Sequence, residues 1–144
     1  MVLARSIFAA AWSRLPAAKQ IMNELEAPLT SWLQKIVAAK EPSAGISAFR
    51  FGLSEDEKDY MVYLAGVKNY DAADAEWAAC PPHYLASKDV LLAKSEAGEW
   101  RDVLLAMLHF LGAALRQKPF SASFLGGSTP MYAGFVDGDL YSVN

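Results

Sequence analysis

At 144 residues, 53% hydrophobic and 20% charged, the chain has the length of one domain with a sizeable core, and a single domain spanning 1–144 is expected. Thirteen basic against sixteen acidic groups leave a net charge of −3, which excludes a strongly basic nucleic-acid binder and a disordered acidic tail. One cysteine, Cys80, rules out an intramolecular disulfide and a zinc site built mainly from cysteines, and it fits a reducing cytoplasm.

The first segment, Met1 to Ser13, is apolar and contains Ala9-Ala10-Ala11, a sequence that a signal peptidase accepts. Arg5 interrupts it and no basic cluster precedes it, so retention in the cytoplasm is the expectation. No apolar run approaches the roughly 20 residues that span a bilayer, and no membrane association is expected.

From Ala17 to Lys40 the residues Ile21, Leu25, Leu29, Trp32 and Ile36 recur every three or four positions, which predicts a helix with one buried face. Pro28 inside it is expected to kink or split it, because proline lacks the amide donor and crowds the preceding turn. Ile46 to Leu53 and Tyr60 to Val67 have strand composition, with Phe49 and Phe51 on one face and Ile46, Ala48 and Arg50 on the other. The second strand is apolar on both faces and is therefore expected to be central.

Asn69 to Ala79 lacks either period and reads as a long ordered loop anchored by Tyr70 and Trp77, while Tyr84 to Ala93 fits helix and strand equally. Glu99 to Gln117 carries the clearest helical stripe, from Trp100 through Val103, Met107 and Leu111 to Leu115, and Pro119 ends it. Met131 to Val136 and Leu140 to Val143 flank Asp137-Gly138-Asp139, a hairpin signal resting on the positive backbone angles that Asp-Gly tolerates. The element order predicts an α+β fold, an antiparallel sheet of about four strands packed against two main helices.

Chemical motifs are incomplete. Cys80 and His83 supply two zinc ligands where a structural site needs four, so no metal or cofactor is expected. Asp102, His109 and Arg116 share a helix stripe, but seven-residue spacing puts them about 10 Å apart along the axis, which suits a solvated face better than an acid–base site. Gly126-Gly127-Ser128-Thr129 lacks the lysine of a phosphate loop, and Asp137-Gly138-Asp139 lacks the remaining ligands of a calcium loop.

Charge is uneven: residues 1–50 carry six basic and three acidic groups, 51–80 two and seven, and 81–144 five and six. The acidic middle places Glu55, Asp56, Glu57 and Asp59 in the first strand connection. It places Tyr70, Asp71, Asp74, Glu76 and Trp77 in the long loop. Acids interleaved with aromatics on ordered loops form a docking surface for a basic partner, the charge speeding encounter and the rings supplying buried contact.

Tyr60-Met61-Val62-Tyr63-Leu64-Ala65-Gly66, the Asp-rich passage ending in Glu76-Trp77-Ala78-Ala79-Cys80, and Tyr132 to Asp139 together resemble small bacterial immunity proteins of polymorphic and type VI secretion toxin systems. The resemblance implies a cytoplasmic, non-catalytic protein that binds one cognate toxin and blocks it; a toxin with a basic active-site cleft would suit the acidic loops. Two rival readings stand beside it. One is a small hydrolase or transferase using His83 or His109 with a carboxylate. The other is an adaptor subunit whose segment Met1 to Trp12 docks on a partner or on a second copy of the chain.

Overall fold

The computed structural model describes residues 2–3, 16–79, 81–95, 97 and 99–144. Cys80 and most of the N-terminal segment proposed for docking lie outside the described residues, so the expectations attached to them are not addressed by the fold.

Strand β1 (Val2–Leu3) precedes helix α1 (Pro16–Ala38), and strands β2 (Ala48–Glu55) and β3 (Asp59–Val67) follow as a hairpin. After a 3-10 turn at Ala75–Ala79 come β4 (Tyr84–Ala93), helix α2 (Trp100–Ala114), two short 3-10 turns, β5 (Met131–Phe135) and β6 (Leu140–Ser142). The six described strands form one mixed sheet in the order β1-β6-β5-β2-β3-β4.

The α+β class agrees with the sequence expectation, whereas an all-antiparallel, four-stranded sheet does not. β5 lies parallel to β2 with Phe51 opposite Ala133, and β1 lies parallel to β6. Turn chemistry specifies each hairpin internally, but it does not determine how one hairpin joins the other. Here the chain crosses through β4 and α2 before β5 returns beside β2 in the same direction, as a parallel pair requires. The Asp137-Gly138-Asp139 turn does join antiparallel β5 and β6, yet no left-handed residue makes it: the sole positive φ among described residues is 96° at Gly45.

α1 continues through Pro28 without interruption. The proline costs one backbone bond, but Leu25, Leu29, Trp32 and Leu33 are buried on both sides of it, and that continuous apolar face keeps the helix in one piece. β3 is an interior strand as expected, its buried residues Tyr60, Val62 and Leu64 alternating with half-buried Met61, Tyr63 and Ala65.

Alternation along the strands sends the large side chains toward the helices. Phe49, Phe51 and Leu53 of β2, Val62 and Leu64 of β3, and Met131, Ala133 and Phe135 of β5 meet the buried stripes of α1 and α2. Phe51 is fully buried, with its ring centroid 6.1 Å from that of Trp32 in an edge-to-face contact. Phe51→Ala is expected to cost about 3–5 kcal/mol, read as a lower urea midpoint at unchanged slope.

Candidate functional site

The other face of the sheet carries no helix among the described residues. Its positions on β2 are Ala48, Arg50 and Gly52, small residues around one arginine, and its positions on β3 are Met61, Tyr63, Ala65 and Val67. One end is covered by residues 68–79. There Trp77, 4% exposed, packs with Ala48, Val67 and Leu140 in a second, smaller core.

That small core is aromatic. The Trp77 ring lies 5.3 Å from Tyr70 and 5.5 Å from Tyr132, and the two tyrosine hydroxyls share a 2.6 Å hydrogen bond. Tyr70 is also tied through its amide, which donates to Ser47 Oγ. The loop is therefore anchored by Tyr70 and Trp77, as its sequence suggests. The same burial takes Trp77 out of the set of exposed contact residues: its ring is spent on fastening the loop to the sheet.

The acids of this loop serve two purposes. Asp71 Oδ1 accepts from the Ala73 amide at 2.9 Å and Asp74 Oδ1 from the Glu76 amide at 3.0 Å, local turns that set the backbone while all three acids stay exposed. The β2–β3 connection behaves differently. Asp56 Oδ1 accepts from the amides of Asp59 and Lys58, donors that hold its carboxyl below the usual range, and Glu55 pairs with Lys94 at 3.2 Å. Glu57 is exposed and Asp59 half-buried.

The structure does not bring the two acidic segments together. They lie at opposite ends of β3, whose nine residues span roughly 30 Å at about 3.3 Å each. Glu55, Asp56, Glu57 and Asp59 belong to a hairpin end, and Asp71, Asp74 and Glu76 rim the covered end of the open face.

Between the anchored loop and the exposed remainder of that face lies a groove of about 250 Å³, lined by Arg50, Tyr63, Ala65, Trp77, Leu85 and Lys88 among others. Its surroundings are apolar and open: Leu85 is 60% exposed, Val90 49% and Val136 51%. Arg50 is 7% exposed, the sole buried charged side chain among the described residues. Its Nη1 donates to the Ala78 carbonyl and its Nη2 to the Phe135 carbonyl. Lys88 Nζ stands 5.6 Å over the Tyr63 ring.

The residue pattern places Arg50 on a strand face, but the guanidinium in the middle of Ala48-Phe49-Arg50-Phe51-Gly52-Leu53 marks more than a face. That single charge in an apolar strand was the available signal. Lys88, Leu85 and Tyr63 carried none, because a groove on a sheet face is assembled from three strands.

A larger cleft of about 540 Å³ lies on the far side of β4, between it and the end of α1, lined by Trp32, Lys35, Lys40, Lys88 and Asp89 among others. Lys35 and Asp89 are bridged there at 3.2 Å. Neither histidine lines these two cavities. His83 is exposed, and its Nδ1 accepts from the Lys68 amide; His109 is half-buried on α2. Among the described residues no three His, Cys, Asp or Glu side chains converge to hold a metal, and no helix is long and apolar enough to cross a membrane.

Compared with protein-family models, with curated proteins and with solved structures, the chain matches none.

Two outcomes follow from the aromatic anchor. Trp77→Ala should cost about 3–5 kcal/mol of stability, as for other buried tryptophans, seen as a large drop in melting temperature. Burial, then the hydrogen bond shared with Tyr70, raises the Tyr132 pKa from 10.0 to about 12. The unfolded chain therefore releases this proton before the folded one does. Stability is intact below pH 10.0 and is lost as pH rises from there through about 12. Thermal melts of Tyr132→Phe across that window should show a shallower decline.

Proposed function

We propose that this chain is a binding protein rather than an enzyme, an immunity protein that holds a cognate bacterial toxin through the rim and open face of its sheet. What supports this reading best is the loop at residues 69–79. Its acids are exposed while its backbone is held by Asx turns and by the Trp77–Tyr70–Tyr132 cluster. A charged surface ordered before encounter loses little entropy on binding, so its complementarity is expressed in both rate and affinity.

Beside that rim, Leu85 and Val136 offer apolar contact, and Val90 extends it toward the far end of β4, on a face that no described helix covers. A basic cleft of a toxin fits the pairing of an acidic rim with an apolar floor. Inhibition is then steric, the immunity protein occupying the cleft without chemistry of its own, and the complex forms in the cytoplasm where the toxin would act. The acids at 55–59, at the far end of β3 from this loop, are left outside the proposed centre of contact.

The rate of association tests this. Asp71→Asn with Asp74→Asn keeps both Oδ1 acceptors, and so the turns, while removing two charges. Association with the product of the neighbouring toxin gene should slow severalfold at low salt, with dissociation and melting temperature little changed. Equal association rates for wild type and double variant would remove the acidic rim from the interface, and failure of the neighbour's product to bind would remove the immunity reading.

A further inference from the structure

Arg50 poses a problem that the partner reading does not solve. A guanidinium has five N–H donors and a permanent charge. Here it is more than nine-tenths buried and answered by two neutral carbonyls, those of Ala78 and Phe135. Its Nε has no hydrogen-bond partner among the described residues, and no carboxylate pairs with it there. Burying a charge without a counter-charge is costly, and folded chains keep such a group when something else supplies the missing half.

We propose that the groove over Arg50 is a binding site for a small organic carboxylate with a flat apolar body. The Nε–H is shielded from solvent, so a carboxylate reaches it and an adjacent Nη–H only as a groove wall gives way; the two donors then form a fork that both carboxylate oxygens engage, which supplies charge and both acceptors at once. The walls specify the rest of the ligand. Tyr63, Ala65, Trp77, Leu85 and Val136 give it apolar sides, and Lys88 adds a second positive charge beside Tyr63.

Size restricts the ligand further. About 250 Å³ is below the roughly 300–1,000 Å³ of pockets that hold drug-sized molecules, so one ring and one carboxylate fill it. Inorganic phosphate suits it poorly, because a compact, strongly hydrated anion has no apolar body to cover the walls. Tyr63 is the adjustable wall. A Cβ at Gly52 would lie 2.0 Å from its Cζ, so the ring rests directly over a glycine two residues along the strand from Arg50 and meets no side chain there.

The test is a titration of the ¹⁵N-labelled full chain with benzoate, followed through the Arg50 side-chain Nε–H resonance, with benzyl alcohol as the neutral counterpart. Benzoate should move that resonance to saturation, together with the amides of Tyr63, Ala65, Leu85 and Lys88, at one common Kd. Benzyl alcohol should bind about tenfold more weakly or less, lacking the charge-assisted bonds. Ala65→Leu, which fills the groove at a half-buried position and leaves Arg50 in place, should abolish the response in a folded chain. An Nε–H resonance unmoved at about 50 mM benzoate, beyond the millimolar range of weak ligands, would overturn the proposal. So would equal responses to the acid and the alcohol, or shifts confined to surface lysines. None of these outcomes depends on whether a toxin binds.

Discussion

Strand β2 is hydrogen-bonded on both sides, to β3 and to β5, and its side chains must therefore satisfy two faces at once. Phe49, Phe51 and Leu53 take the helix face, Ala48, Arg50 and Gly52 the other. Period-two geometry permits no compromise, because a slip of one residue would turn the phenylalanines to solvent and Arg50 into the core. From this division follow the thick helix-side core and the shallow opposite face. The small residues of β2 leave space there into which Tyr63 leans and against which Trp77 closes.

How much of this can be read from residues alone depends on whether each feature is local. The stripes of α1 and α2, the hairpin of β2 and β3, and the anchored loop all show in patterns a few residues long. β4 did not, and its register says why. Val90 lies opposite Met61 and Leu92 opposite Tyr60, leaving Leu91 as an extra residue, and a second shift falls between Asp89 and Ala86. Two bulges put Leu91 and Leu92 together in the core and break the alternation, so neither a period of 2 nor one of 3.6 survives along the segment.

The parallel union of β2 with β5 was likewise beyond a pattern, since it is set by side chains about 80 residues apart packing on one helix face. The groove shares that character: Arg50, Tyr63 and Lys88 become neighbours only when three strands align. In the acidic loop, by contrast, the composition was informative and the roles were exchanged. The aromatics that suggested contact with a partner are the fastening, and the aspartates that suggested charge alone also shape the backbone.

The bulges of β4 have a consequence for the sheet as a whole. With β4 at one end of the strand order and the two-residue β1 at the other, the sheet's edges are an irregular strand and a very short one. A flat, regular edge beside exposed Leu85 and Val90 would invite a strand from another molecule to extend the sheet, the route by which apolar β-surfaces polymerise. The kinks in β4 misalign successive amides and carbonyls from such a template. Irregular borders thus set the sheet against edge-to-edge growth even where its face, among the described residues, carries exposed apolar side chains.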